Sequence, residues 1–362
     1  ENEDNMEKEK KSKIKKILVN LTIFILLIIL TFSLVLKDQD VSQIFSVAAK
    51  VKKQYILFAV LAMSIYILGE AVNITRILKE LGEKSKLISN IRYTLIGFFF
   101  SAITPAASGG QPMEIYYMHK DDISVANSTL ALLMQLCSLQ IVTITVGTIS
   151  AVIHFEVLKS GLIYLLILGI ILNSSALMLL IIAIFSKRLS EGLIKFAVKL
   201  LKFFRIPNVE KKQEKLEKEL ESYQTSAKYI KEHKILMLKT VITTVVQMIA
   251  YYSVPYWIYL AFGLTEYNIF EILTLQAVLY ATVSGIPSPG AVGVSEGGFL
   301  GIFKNVFPET IISSAMLLTR GANFYLFIII SAIIVMISTF REKKIEKKQM
   351  QETEVLTEKS EK

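Results

Sequence analysis

The chain has 362 residues, of which 53% are apolar and only 20% are charged, and its mean hydropathy is +0.52. Such a composition excludes an ordinary soluble domain and is typical of a protein that lies mostly within a lipid bilayer. With one cysteine and three histidines, the sequence predicts no disulfide framework, no metal site and no cofactor. The net charge of +9 fits basic loops beside anionic lipid better than it fits nucleic acid.

Long apolar runs divide the chain into segments that can cross a bilayer. A charged tail, residues 1–16, precedes an apolar run over residues 17–36, which has the length of a membrane anchor rather than of a cleaved signal peptide. Five further runs follow, at residues 55–77, 123–153, 161–186, 235–262 and 309–340. Because a crossing needs about 20 apolar residues, the sequence predicts six transmembrane helices. They lie in a domain over residues 17–340, which is followed by a charged tail at residues 341–362.

Two other apolar runs are shorter and end in segments rich in glycine and proline. Each of these segments is followed by another partly apolar stretch, so the sequence predicts re-entrant hairpins at about residues 90–118 and 269–307. In such a hairpin two half-helices flank an irregular turn. Non-helical backbone at membrane depth is tolerated only where protein or a water-filled cavity supplies its hydrogen bonds, so these turns tend to line pathways. The alternative is a pair of surface loops between interfacial helices.

Positive charges predict the orientation of the chain. The loop at residues 187–234 carries thirteen lysines and arginines against seven acids, and both terminal tails are rich in lysine. Such segments stay in the cytoplasm, so we expect the loop and both termini there. With six crossings, the two hairpins then enter the membrane from opposite faces. The predicted fold class is therefore an all-α polytopic membrane protein with six transmembrane helices and two opposed hairpins that form an inverted repeat, with its site near the midplane.

The cytoplasmic loop has two helical patterns of its own. Between residues 189 and 204, apolar side chains fall on one face and basic side chains on the other, which predicts an interfacial helix. After Pro207, apolar residues recur at threes and fours among charges, which predicts a short helix that packs on a neighbour. A solvated connector and a surface that recruits a partner protein are both compatible with these patterns.

Ionisable side chains at membrane depth are costly and therefore mark candidate functional positions. Glu70 lies within the second predicted crossing, and pairing with Arg76 is the structural alternative to a functional role. Glu114 and Glu296 each lie near the beginning of a returning half-helix, where simple capping by a carboxylate is the alternative. Gly110 precedes the first of these half-helices, where a backbone N–H can contact an anion.

Arg320 is the strongest candidate for a functional position at membrane depth. It lies inside the last apolar run, about eleven residues from one end and twenty from the other. An arginine that faced lipid there would cost several kcal/mol, so its side chain must face a partner or a polar cavity. Glu296 and Glu114 are the plausible partners in a structural ion pair. A phosphate is the plausible ligand, because a guanidinium binds phosphate through two parallel hydrogen bonds.

Most signatures of membrane-embedded enzymes are missing from the sequence. It has no His-Glu-x-x-His motif, no aspartate inside a predicted span and no serine with a nearby histidine. These absences argue against zinc, aspartyl and serine–histidine hydrolases of the membrane, so the sequence favours a protein that is not an enzyme.

These residues resemble the lysylphosphatidylglycerol synthetase transmembrane family, the flippase-like domain that is also found at the N-terminus of bacterial multiple peptide resistance factors. The segment PSPGAVGVSE at residues 287–296, which contains Gly293, is similar to that family's Pro-x-Pro-Gly-Gly-x-Gly-x-x-Glu segment. Arg320 with Tyr325 in the last run, and Arg76 after the second run, add to the resemblance.

The first Gly/Pro segment is similar to the family's Pro-x-x-x-Gly-Glu-x-x-Arg segment through Pro105, Gly110 and Gln111. It departs from that pattern at two positions. Gln111 stands where glutamate is common, and Glu114 stands where arginine is common. Such a departure can mark a subgroup with a different lipid headgroup.

The resemblance implies movement of a phospholipid or related anionic lipid between the leaflets of a bacterial cytoplasmic membrane. The implied partners are phospholipids with an anionic or aminoacylated headgroup, a second copy of the chain, or a lipid-modifying enzyme, and not nucleic acid. The expected substrate-binding residues are Arg320, Glu296, Glu114, Gln111, Gly110, Gly293, Glu70 and Arg76. The alternative function is an enzyme or accessory subunit that modifies phospholipids or polyprenyl lipids, because some relatives of this family adjoin lipid-modifying domains.

Overall fold

In a computed structural model, the described residues are 22, 25–26, 29, 41–104, 107–155, 162–188, 191–192, 195, 199, 209–286 and 288–341. Within these residues the secondary structure is helical and contains no β-strand, which confirms the all-α class. The first predicted crossing, residues 17–36, and the predicted interfacial helix at residues 189–204 lie outside the described residues, apart from isolated positions.

The described helices are numbered here in chain order. They are α1 (Val41–Ala49), α2 (Lys53–Glu80), α3 (Leu87–Ile103), α4 (Gly110–Lys120), α5 (Val125–Ile153), α6 (Leu162–Phe185), α7 (Val209–Glu232), α8 (Lys234–Ala261), α9 (Ile269–Val283), α10 (Val294–Ile302) and α11 (Ile312–Arg320). The last helix continues through a π-helical turn at Gly321–Tyr325 and ends at Arg341.

Five helices of the described part are long and apolar enough to cross a bilayer. They are α2, α5, α6, α8 and the long helix Ile312–Arg341, and they match five of the six predicted crossings. Of the most apolar stretch of α6, only 17% is buried inside the protein. Its exposed side chains include Leu165, Ile171 and Leu179, which suits a helix that faces lipid.

A helix–break–helix unit is present at each Gly/Pro segment. In the first unit α3 ends at Ile103 and α4 begins at Gly110; in the second α9 ends at Val283 and α10 begins at Val294. Each break holds an alanine in the left-handed backbone region, Ala107 with φ of 53° and Ala291 with φ of 52°. L-residues other than glycine rarely adopt this conformation, so contacts around each break must hold it in place.

A buried polar network joins α2, α5 and α8. The side-chain amide of Asn73 donates to Gln135 Oε1 at 2.8 Å and to Thr244 Oγ1 at 3.0 Å, and Gln135 Nε2 donates to Gln247 Oε1 at 3.1 Å. At Gly69, an added Cβ would lie 2.8 Å from Gln247 Cβ, so α2 and α8 approach closely. Small residues and interhelical hydrogen bonds of this kind drive helix association in membranes.

Replacing Asn73 by alanine should lower the thermal stability of the protein, because Gln135 then loses a buried donor. A buried group left unpaired costs about 1–3 kcal/mol, and we expect a loss of that order. A thiol-reactive dye can follow unfolding through Cys137, the single cysteine, which is half-buried. As a control, Ser64→Ala removes an exposed hydroxyl that donates only to Val60 O of its own helix; an equal shift in both variants would contradict the prediction.

The helix predicted after Pro207 is present as α7, which packs on α5, α6 and α8. Its Ser226 hydroxyl donates to Asn127 Oδ1 at 2.7 Å, and its Tyr223 hydroxyl donates to Ala183 O at 2.8 Å. Ile230 is fully buried. The helix is therefore fixed against the ends of three neighbouring helices.

Candidate functional site

An ion pair links the last helix to the second Gly/Pro break. Arg320 Nε donates to Glu296 Oε1 at 2.8 Å, and Arg320 Nη2 donates to the carbonyl oxygen of Gly290 at 3.1 Å. Arg320 is 6% exposed and Glu296 is fully buried. The arginine expected to face a partner or cavity therefore faces the break.

Two further donors hold the Glu296 carboxylate. The Tyr325 hydroxyl donates to Oε1 at 3.0 Å, and the backbone N–H of Gly293 donates to Oε2 at 2.7 Å. Gly293 is the residue before α10 and has φ of 87°, a conformation that favours glycine. Glu296 thus both caps α10, the alternative considered from sequence, and pairs with Arg320.

Aromatic rings complete the surroundings of the arginine. The Arg320 Cζ atom lies 4.0 Å from the ring centroid of Phe324 and 5.6 Å from that of Tyr325. A guanidinium at such distances is attracted by the negative face of the ring. Both rings belong to the π-helical turn, a feature that is frequent at functional sites.

A cavity of about 290 Å³ adjoins the ion pair and is called the arginine cavity here. Its polar lining residues are Tyr66, Ser101, Tyr251, Tyr280, Ser284, Ser288, Ser295, Arg320 and Asn323. Ser288 Oγ and Asn323 Oδ1 are buried without a hydrogen-bond partner. The cavity therefore offers a cation and unpaired polar atoms side by side.

A second cavity, of about 410 Å³, is called the carboxylate cavity. Its lining includes the polar side chains of Tyr66, Glu70, Thr94, Gln111, Glu114, Gln140 and Thr143. The two cavities share the lining residues Tyr66, Phe98, Ser101, Ala107, Tyr280 and Ser284, so they are adjacent. Together they bring polar side chains into the space between the two breaks.

Residues 17–331 match the family model described as lysylphosphatidylglycerol synthase TM region. The chain belongs to this family. It is also similar to a UPF0104 membrane protein from Archaeoglobus fulgidus, with 24% identity over 276 residues, which is 73% of this chain and 80% of that protein. Family membership and the apolar helices described above make the chain a multi-pass membrane protein.

Six of the eight residues that the sequence predicts to bind substrate lie in two groups. Arg320, Glu296 and Gly293 meet at the second break. Glu70, Gln111 and Glu114 line the carboxylate cavity, and Glu114 does not pair with Arg320.

Gly110 has a packing role in the structure. An added Cβ there would lie 2.0 Å from Ser101 Oγ and 2.9 Å from the carbonyl oxygen of Gly97, so the residue allows α4 to approach α3. Gly110 is not among the residues that line either cavity.

Arg76 lies apart from both groups. Its Nη1 donates to Asn73 Oδ1 and to Lys239 O, each at 3.0 Å, and both terminal nitrogens donate to Thr243 Oγ1 at 3.1 Å. The arginine therefore ties α2 to α8. Pairing between Glu70 and Arg76, considered as an alternative from sequence, is wrong because Arg76 turns to α8 and Glu70 lines a cavity.

Several residues of the site are not predicted by the sequence. Phe324 follows Arg320 by one helical turn, and this spacing could have indicated the ring beneath the guanidinium. Thr94 and Gln140 carry no signal in the sequence, because neutral polar residues are common in membrane helices and only the packing decides which of them face a cavity.

Proposed function

We propose that this member of the lysylphosphatidylglycerol synthase TM family moves a phospholipid or related anionic lipid between the leaflets of a bacterial cytoplasmic membrane. The observation that carries the proposal is the arginine cavity. A buried guanidinium lies there beside unpaired polar atoms, inside a bundle whose outer surface is apolar. A lipid headgroup needs such a polar route while its acyl tails stay in the bilayer.

Arg320 is suited to the phosphate of the headgroup. A guanidinium has five N–H donors, and the contacts to Glu296 and Gly290 use only two of its three nitrogens. Further donors remain for a phosphate oxygen. The cavity of about 290 Å³ is near the lower limit of small-molecule sites, which begin at about 300 Å³, so it suits a headgroup rather than a whole lipid.

Both breaks contribute to this route. Ala107 of the first break lines both cavities, and Ser288 and Gly290 of the second break line the arginine cavity. In the proposal the two helix–break–helix units are re-entrant hairpins of an inverted repeat, because irregular backbone at membrane depth needs a polar cavity beside it. The basic loop at residues 187–234 and both termini face the cytoplasm.

Vesicles that contain the purified full chain test the proposal. Phosphatidylglycerol with a fluorescent acyl chain is placed in both leaflets, and dithionite added outside bleaches only the label it can reach. We expect the inner-leaflet label to become accessible in vesicles with protein and to stay protected in vesicles without it. Equal protection in both would overturn the proposal.

The same vesicles can be used to test the alternative function. Mass spectrometry of the extracted lipids detects any covalently changed product. If such a product forms only with protein and no lipid movement is seen, the function is not transport. The protein is then a lipid-modifying enzyme or accessory subunit, the alternative that the family resemblance allows.

A further inference from the structure

The carboxylate cavity contains two carboxyl groups and has no basic side chain among its lining residues. Glu70 of α2 and Glu114 of α4 both face it, and its other titratable lining residues are Tyr66 of α2 and Tyr280 of α9. Two carboxylates in a low-dielectric interior repel each other and are costly to bury without a compensating cation. The site of Arg320 and Glu296, in contrast, is balanced within the protein.

Unpaired oxygen atoms point to a ligand in this cavity. Glu114 Oε2, Thr94 Oγ1 and Gln140 Oε1 are buried without a hydrogen-bond partner, and Glu114 and Thr94 are each only 2% exposed. Buried polar atoms nearly always have a partner in native proteins, so three such atoms around one cavity need an explanation.

Four helices supply the two carboxyl groups and the unpaired Thr94 and Gln140 oxygens. Glu70 belongs to α2, Thr94 to α3, Glu114 to α4 and Gln140 to α5. Glu114 lies directly against α3, since an added Cβ on Gly97 would be 1.9 Å from Glu114 Oε1. The absence of a side chain at Gly97 thus makes room for the carboxylate.

We propose that the carboxylate cavity binds a monovalent metal cation of the Na⁺ type. Carboxylate, hydroxyl and amide oxygens are the donors that hard cations prefer. No group of three or more acidic, histidine or cysteine side chains within the described ranges could hold a metal ion, so a divalent ion would have few charged ligands here. A single proton can be donated to only one of these acceptors at a time, whereas a metal ion with its waters can contact the carboxylates and the Thr94 and Gln140 oxygens together.

The place of this cation in transport rests on the proposed function. Because the two cavities share six lining residues, the ion would lie next to the lipid headgroup. An ion gradient could then drive lipid movement, as in transporters whose ion and substrate sites adjoin at the midplane.

Thermal unfolding of the purified full chain in detergent tests the binding, with NaCl exchanged for choline chloride at constant ionic strength. We expect Na⁺ to raise the melting temperature of the wild type in a saturable manner. Glu114→Gln and Thr94→Val should each weaken the apparent Na⁺ affinity by about tenfold, the effect of losing roughly 1.4 kcal/mol. Glu266→Gln, which alters an exposed carboxylate between α8 and α9, is the matched control and should behave as the wild type.

Two results would overturn the inference: an undiminished Na⁺ effect in both site variants, or no Na⁺ effect on the wild type. If Na⁺ has no effect and the melting temperature instead shows a pH effect that Glu114→Gln removes, the ligand is a proton. A Na⁺ gradient across the vesicles should change the rate of lipid exposure in the wild type and not in Glu114→Gln. If no vesicle exposes lipid, the proposed function fails while a Na⁺-dependent melting temperature still supports the site.

Discussion

Replacing Arg320 by alanine is expected to abolish lipid movement and to lower stability by about 3–5 kcal/mol, the cost of removing one partner of a buried ion pair. The physical reason is that Glu296, which is fully buried, would keep its charge without the cation 2.8 Å away. Headgroup exposure in vesicles measures the first effect, and thermal unfolding in detergent measures the second.

A double variant separates substrate binding from the structural ion pair. Arg320→Met with Glu296→Gln replaces the pair by neutral groups of similar size, and such exchanges are often neutral or stabilising. The glutamine oxygen can still accept from Tyr325 or Gly293. We expect stability to return while lipid movement stays absent, because no cation is left for the phosphate. Lipid movement at the wild-type rate would show that Arg320 has only a structural role.

Gly290→Ala is expected to have the second largest effect. Gly290 has φ of 58°, and an added Cβ would lie 2.2 Å from Phe324 Cζ. The left-handed backbone costs an L-residue about 1–2 kcal/mol, and a forced shift of a packed side chain costs about 1–3 kcal/mol. Moving Phe324 or the break would also disturb the carbonyl that accepts from Arg320, so lipid movement should fall together with the melting temperature.

A glycine in the next helix provides the control. Gly297 lies in α10, and an added Cβ there would have no neighbour within 4 Å. Gly297→Ala should therefore leave both measurements unchanged or slightly raise stability. Combining Gly290→Ala with Phe324→Ala removes the steric clash but keeps the unfavourable backbone. An effect of Gly290→Ala no larger than that of Gly297→Ala would contradict the expected close packing.

Much of the fold could be predicted because the bilayer imposes strong rules on the sequence. Long apolar runs gave five crossings that correspond to described helices, and the Gly/Pro segments gave the two helix–break–helix units. A charge inside an apolar run must find a partner, so the sequence predicted a partner for Arg320 and offered two, Glu296 and Glu114; the structure selects Glu296. Here the free-energy cost of an unpaired charge in the membrane, which the sequence reveals, indicates a contact between residues that are distant in the chain.

The remaining contacts depend on how the helices are rotated against one another. Arg76 stands near the end of α2, and its sequence neighbourhood does not indicate that groups on α8 accept its hydrogen bonds. Thr94 faces a cavity only because α3, α4 and α5 meet there. Such residues follow from the packing of the whole bundle and not from a local pattern.

The Glu296 carboxylate does more than pair with Arg320. It accepts two hydrogen bonds from the last helix and one from the second break. The long helix Ile312–Arg341 and the second break are thereby coupled mechanically. If this helix tilted as a rigid body, Gly290 and Gly293 would move with it. Their distance from the first helix–break–helix unit would then change. Through the three hydrogen bonds that Glu296 accepts, motion of this one helix would change the width of the proposed lipid route.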